Sequence, residues 1–171
     1  MHTPHRSYLI LPLALLFTVL TAPLKAEFTY TASSEAITIT GYDGSGGDVT
    51  IPDTIDGLPV QAIAEYAFDH CSTINAVILP SSLTSIGPWA FTYCSSLNHV
   101  TIPNSVTSIG DGAFSSCSSL SDITLSSGLL TIAPSTFGNC HALTSIVIPS
   151  GVGNIGNGAF YLCTSLASAS S

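Results

Sequence analysis

Five cysteines stand at positions 71, 94, 117, 140 and 163, each 23 residues after the one before. A fixed period of that length constrains the fold more than any other property of the chain. So short a unit cannot enclose its own apolar side chains and must bury them against copies of itself. Other slots keep the same beat. Phe68, Phe91, Phe114, Phe137 and Phe160 precede each cysteine by three residues, and Ala67, Ala90, Ala113, Thr136 and Ala159 precede each phenylalanine. Ile74, Leu97, Leu120, Leu143 and Leu166 follow each cysteine by three. Next comes Val77-Ile78-Leu79-Pro80, repeated as Val100-Thr101-Ile102-Pro103, Ile123-Thr124-Leu125-Ser126 and Ile146-Val147-Ile148-Pro149. Leu83, Val106, Leu129 and Val152 recur, then Ile86, Ile109, Ile132 and Ile155. Gly87, Gly110 and Gly156 close the unit, with Ala133 in the remaining case, the third.

The pattern dictates a solenoid. Val77 and Leu79 alternate with Ile78, the period-2 mark of a short strand. The proline after it has no N–H to donate and ends the pairing. The Ala-Phe-x-x-Cys-x-x-Leu stretch has apolar residues three apart, which predicts one or two helical or 3-10 turns. Stacked units bury each slot as a column, with neighbouring strands parallel and about 4.8 Å apart. The expected fold is an α/β solenoid with repeats at 67–89, 90–112, 113–135 and 136–158 and a partial copy at 159–171. Residues 27–66 read as an N-terminal cap plus a variant half-repeat, because Val49-Thr50-Ile51-Pro52 copies Val100 to Pro103 with a longer spacing to the next phenylalanine. The partial fifth copy has no polar cap after it, so the expectation is a fragment or a truncated member of a longer type.

Residues 1–26 read as a secretory signal peptide. Met1 to Arg6 is a basic start, Tyr8 to Leu20 an apolar run, and Thr21 to Ala26 a short polar end. The apolar run is shorter than the roughly 20 residues of a membrane span. Cleavage after Ala26 is expected, with cleavage after Ala22 or a retained anchor as the alternatives. Arg6 and Lys25 are the only basic residues beside ten carboxylates. A chain cut after Ala26 therefore carries no Lys or Arg. Nucleic acids and anionic lipid surfaces are bound by neutralising phosphates with such side chains. The expected partner classes exclude both, and no insertion of the mature chain into a membrane is expected. Only 7% of residues are charged, against roughly 25% in ordinary soluble domains. Stability must come from apolar burial and backbone hydrogen bonds.

The slots A-F-x-x-C-x-x-L-x-x-[VI]-x-[LI]-P-x-x-[LV]-x-x-I-G resemble the BspA-type leucine-rich repeat, also called the Treponema pallidum type. The opening Ile37-Thr38-Ile39-Thr40-Gly41-Tyr42 with Gly57-Leu58-Pro59-Val60 is similar to the lead-in of such arrays. The likeness spans about residues 37 to 168. It implies a right-handed leucine-rich-repeat superhelix and a secreted or cell-surface protein of adhesion or protein binding. It brings no shared catalytic residues.

Four groups of residues are candidates for chemistry. The cysteines are odd in number and evenly spaced, unlike zinc ligands or a closed disulfide set. Adjacent layers would bring their Cα atoms within disulfide range, yet parallel side chains hold the Cβ atoms slightly too far apart. A buried column of small thiols is expected, with one or two disulfides or a metal site as alternatives. Residues flanking the buried strand slots point outward in two columns, Ala76, His99, Asp122, Ser145 and Ile78, Thr101, Thr124, Val147. His99, Asp122 and Ser145 invite a Ser-His-Asp reading, but Asp122 would lie between the other two, and a triad needs histidine in the middle. The same face offers a non-catalytic partner patch at His99, Thr101, Asp122 and Thr124. Asp43-Gly44-Ser45-Gly46-Gly47-Asp48 lacks the fifth- and twelfth-position ligands of a calcium loop and reads as a turn. His70, His141, Trp89 and Tyr93 occupy slots that vary between repeats, which suits either recognition or a solvated surface.

These residues predict a binding or adhesion module for a protein or glycan, with no enzyme activity, cofactor or metal. The alternatives are a spacer or stalk of a larger surface protein, or an accessory domain of an enzyme encoded beyond this chain.

Overall fold

The computed structural model describes residues 27–170, and the signal peptide expected at residues 1–26 lies outside them. The strands are short. In chain order they are Phe28–Ala32 (β1), Ile37–Tyr42 (β2), Gly47–Thr50 (β3), Thr54–Ile55 (β4), Leu58–Ile63 (β5), Ile74–Ile78 (β6), Ser85–Ile86 (β7), His99–Thr101 (β8), Ser108–Ile109 (β9), Asp122–Thr124 (β10), Thr131–Ile132 (β11), Ser145–Val147 (β12), Asn154–Ile155 (β13) and Ser168–Ser170 (β14). One sheet runs β1-β2-β5-β7-β9, with β1 antiparallel to β2 and the remaining neighbours parallel. A second runs β10-β8-β6-β3, parallel throughout. Beyond these, β11 pairs with β13 and β12 with β14, again parallel. Each turn of the chain therefore contributes one strand to each of two faces. Parallel stacking at the 23-residue period, as the sequence requires, is what forms: Ser85 faces Ser108, and His99 faces Asp122.

The third side differs from expectation. No helix or 3-10 segment occurs among the described residues. The Ala-Phe-x-x-Cys stretch forms successive tight turns, and the reason is where its N–H groups go. Those of Ala67, Asp69 and Cys71 close local turns onto Ala64, Tyr66 and Phe68. The alternate ones, on Tyr66, Phe68 and His70, donate to Pro88, Ala90 and Thr92 of the next turn at 3.2, 2.7 and 2.9 Å. A helix would keep all of them for itself. Two residues per turn take left-handed backbone to make this alternation, at Tyr66 (φ 58°) and His70 (φ 57°) and at their equivalents down the stack. The apolar spacing of three was correct for burial but misleading for helix, because the solenoid satisfies these donors along its axis.

The core is a set of columns. Phe68, Phe91, Phe114 and Phe137 are fully buried, and Phe160 is half-buried. Their rings stack in one line with centroids 4.7, 5.2, 5.9 and 5.6 Å apart. Each such contact adds about 0.5–1.5 kcal/mol to the burial of the rings. At the N-terminal end Tyr42 occupies the next place, stacked 5.3 Å from Phe68, and Phe28 packs edge-on at 6.3 Å. The β1–β2 pair thus covers the first layer with aromatic rings.

A thiol column lies beside the rings. Cys94, Cys117, Cys140 and Cys163 each donate from Sγ to the carbonyl of the phenylalanine 26 residues earlier, at 3.0–3.2 Å. All five cysteines are free, and Cys94, Cys117 and Cys140 are buried. Burial pushes the Cys140 thiol up to about 12, and those of Cys94 and Cys117 well up too. A thiol so placed is a packing group, far from the thiolate that nucleophilic or metal chemistry needs.

Gly87, Gly110 and Gly156 are required by close approach. A Cβ there would sit 2.6, 2.5 and 2.5 Å from backbone nitrogen of Glu65, Pro88 and Pro134 in the preceding turn. No helix among the described residues is long and apolar enough to cross a membrane.

Candidate functional site

The strand face carries the residues singled out by the sequence. In β8 and β10 the middle residues, Val100 and Ile123, are buried, which turns His99, Thr101, Asp122 and Thr124 outward. Parallel register sets Asp122 beside His99 and Thr124 beside Thr101. Ala76 extends the first column on β6, facing His99. The structure therefore brings all four candidates onto two paired strands. Ser145 does not join them by pairing, since β12 pairs only with β14.

The imidazole of His99 is the centre of this patch. Its Nδ1 lies 3.0 Å from Asp122 Oδ2, and its Nε2 lies 3.2 Å from Thr101 Oγ1. Hydroxyl, imidazole and carboxylate thus follow one another in the order that Ser145 could not supply. The arrangement still falls short of acyl-transfer chemistry. His99 and Asp122 are 50% and 64% exposed, so water is not excluded. The adjacent N–H of Ile102 is committed to Thr124 O at 2.9 Å, instead of pointing at a developing oxyanion. What the trio can do is hold a donor and acceptor set in fixed positions. Asp122 orients His99, and Thr101 caps its far nitrogen.

Two shallow depressions flank the patch. One, of about 480 Å³, has His99, Thr101, Ala76, Ile78 and Pro103 in its wall and is mostly apolar. It opens where β6 and β8 part, since their pairing stops at Val77 and Val100. Ile78 in this wall is 62% exposed. The other, of about 320 Å³, lies between β10 and β12 and is walled by Asp122, Thr124, Ser145 and Val147. Neither depression was foreseeable from the repeat, because both arise where the pairing of successive turns lapses.

The other sequence candidates are scattered. Gly44 and Gly46 of the acidic loop wrap the Tyr42 hydroxyl, which accepts from Gly46 N at 3.2 Å. That is a packed turn. His141 meets the carbonyl of Leu162 through Nδ1 at 2.9 Å, a contact between adjacent turns. His70, Trp89 and Tyr93 lie on the third side, away from the strands. Among the described residues no group of three or more His, Cys, Asp or Glu is placed to hold a metal ion.

The comparisons with known proteins agree with this architecture. The profile of the BspA type leucine rich repeat region matches residues 47–167 in six copies. No curated protein sequence matches the chain. Among solved structures, the chain is similar to a T. pallidum leucine-rich-repeat protein, with a TM-score of 0.82 and 38% identity over 85% of this chain and 69% of that one. It is also similar to a leucine-rich cell surface protein of Faecalibacterium prausnitzii, with a TM-score of 0.52 and 27% identity over 84% of this chain and 52% of that one. A leucine-rich-repeat protein of Bacteroides capillosus gives 0.54 and 27%, over 84% and 93%. The chain thus spans about half the length of the F. prausnitzii protein. These relatives are leucine-rich-repeat proteins. Repeat period, column packing and relatives converge: the chain belongs to the BspA-type leucine-rich-repeat family.

Proposed function

We propose that the protein is a secreted or cell-surface module that binds a protein or glycan, without catalysis, through the strand face centred on His99, Thr101, Asp122 and Thr124. The observation that carries this reading is the oriented imidazole: Asp122 on one nitrogen and Thr101 on the other fix its plane on an open surface between two depressions. Rigidly placed donors and acceptors lose little freedom on binding, so they favour recognition. The sequence from 27 onward has ten carboxylates and no Lys or Arg, which turns the surface away from nucleic acid and anionic membranes. The description of a relative as a cell surface protein, and the leader-like residues 1–26, support an extracellular place.

The test is an array of extracellular matrix proteins and glycans probed with the purified chain from Glu27. Binding is expected, and His99→Ala with Asp122→Ala should weaken it by about tenfold, on the scale of a lost polar anchor. An array that stays blank, or binding indifferent to the double substitution, would favour a spacer role within a larger surface protein. Sequencing the N-terminus of the exported product should find Glu27 first. Retention of residues 1–26 would defeat the secretion reading.

A further inference from the structure

Left-handed backbone recurs twice in every turn, and the residues that adopt it form two columns. The first is Tyr66, Trp89, Gly112, Ser135 and Gly158, and the second is His70, Tyr93, Ser116, Asn139 and Leu162, with φ between 54° and 64° throughout. Such backbone suits glycine, asparagine and small polar residues and is unfavourable for bulky ones. The third and fourth turns follow that rule, with Gly112, Ser116, Ser135 and Asn139. The first two break it three times, with Tyr66, Trp89 and Tyr93 beside a tolerated His70, and the fifth breaks it once, with Leu162. Burial does not explain the exception: Tyr66 and Tyr93 are each 52% exposed, and the His70 side chain is 68% exposed. A strained conformation kept by exposed aromatic residues is a mark of use.

The four rings share one surface. Tyr66 and His70 donate their N–H groups to the turn that carries Trp89 and Tyr93, which locks the two layers together. His70 and Tyr93 stack with centroids 4.6 Å apart and planes within 24°. Trp89 leans over the next turn, where a Cβ on Gly112 would collide with the indole. Exposed Glu65 precedes Tyr66 in the chain, and half-buried Asp69 lies 2.6 Å from His70 Nδ1. No Lys or Arg occurs in the described part of the chain. Aromatic faces and carboxylates attract the same thing, a cation, and a guanidinium can also stack flat on a ring.

We infer that the paired turns carrying Tyr66, His70, Trp89 and Tyr93 form a second docking surface, which takes an arginine-bearing segment of a partner protein. It lies on the turn side and is independent of the strand-face reading.

Trp89 is the only tryptophan in the chain, so its emission reports this surface alone. The protein from Glu27 is titrated with a short peptide alternating glycine and arginine, with lysine and citrulline counterparts, and with cellohexaose. The arginine peptide should change Trp89 emission saturably, the lysine peptide several-fold more weakly, and the two neutral probes not at all. The double variant Tyr66→Gly, Tyr93→Ser installs the residues that the third turn itself uses, so it should keep its fold and melting temperature. It should weaken the arginine peptide by about tenfold, the loss expected for two exposed cation–ring contacts. Unchanged affinity in that variant would overturn the proposal. So would a citrulline peptide or cellohexaose acting as strongly as arginine, which would make the surface a neutral-peptide or sugar platform instead. Glu65→Gln keeps the rings and should weaken the arginine peptide while leaving neutral probes inert.

Discussion

Two junctions between turns, one repeat apart, are held together differently. Where Gly110 closes its unit, the turn is sealed on all three sides. Gly110 N donates to Ile86 O at 2.9 Å where β7 pairs with β9, Trp89 and Phe91 donate to Asp111 and Ala113 at 2.8 Å on the turn side, and β8 pairs with β10. Where Ala133 takes the glycine's place, the turn side stays closed and the strand sides do not. Gly112, Phe114 and Ser116 donate to Pro134, Thr136 and Gly138 at 2.9, 2.9 and 2.7 Å. No strand pairing joins β9 to β11 or β10 to β12, and Thr144 N reaches Ser121 O only at 3.5 Å. The ring stack is also at its longest there, 5.9 Å between Phe114 and Phe137. The next junction, at Gly156, has the Gly156 N to Ile132 O bond back at 2.8 Å. A single methyl is the sequence difference in the closing slot, at the β9–β11 part of this gap. At Gly110 a Cβ would fall 2.5 Å from Pro88 N, and Ala133 has that Cβ, so its turn must stand off. The lesson is that a solenoid's cooperativity is written in the atoms its consensus omits as well as in those it repeats.

Alkali should have the largest effect, because it acts on every turn at once. Burial pushes the Cys140 thiol from 9.0 up to about 12 in the folded chain, and raises Cys94 and Cys117 further. Protons are then held more tightly by the folded state. The stabilisation is complete below pH 9 and is lost as pH rises from 9 through 12, at a slope on the order of 1 kcal/mol per pH unit for a single thiol. The Cys140 Sγ bond to Phe114 O crosses the loose junction intact, so both halves should melt together. Unfolding followed by circular dichroism should begin above pH 9, and Cys94→Ala with Cys140→Ala should move the onset upward. An onset below pH 8 would contradict this.

Phe137→Ala should come next, at about 3–5 kcal/mol for a fully buried ring. It strikes the one junction where only the turn side and the ring stack connect neighbours. Repeat proteins behave as coupled units, so calorimetry should resolve two transitions in this variant. Phe91→Ala removes a ring of the same burial between sealed junctions and should give one. Two transitions in both variants would mean that the junctions do not differ.

Gly110→Ala moves the defect one turn earlier. It should destabilise by about 1–3 kcal/mol, the range for forcing an extra carbon into a packed site. Hydrogen exchange should then quicken at the amides of Thr107 and residue 110, whose equivalents at Leu130 and Ala133 already lack partners.

Much of this was legible in the sequence. The phenylalanine and cysteine columns followed from spacing alone, because a period fixes which slots meet. His99 and Asp122 were placeable for the same reason, since parallel register makes neighbours of residues 23 apart. The helix expected around Phe68 was not, because apolar spacing says which side chains are buried and not which carbonyl an amide will choose. Thr101 as the partner of His99 Nε2 was hidden too: residues two apart share a strand face, but the ring's orientation depends on Asp122. Tyr66 could have been noticed by aligning it with Gly112 and Gly158, where a large residue against glycines hints at left-handed backbone.

Ala133→Gly should have the smallest effect and discriminates most sharply. Glycine loses more freedom on folding, costing about 0.5–1 kcal/mol. Against that, the turn can approach and form the bonds its neighbours make, from residue 133 to Ile109 and from Leu130 to Thr107, each contributing about 0.5–1.5 kcal/mol. The net gain should be under about 1 kcal/mol, too little to judge from melting alone. Exchange of the individual amides is the proper readout. Those of Leu130 and residue 133 should slow together by about an order of magnitude, while those of Gly112, Phe114 and Ser116 on the closed side stay as they were. Slowing at residue 133 alone would mean that the methyl blocks one bond. No slowing at all would place the cause elsewhere, with Ser126 next in line. It replaces the strand-ending proline, and its buried hydroxyl donates to Val106 O at 2.6 Å.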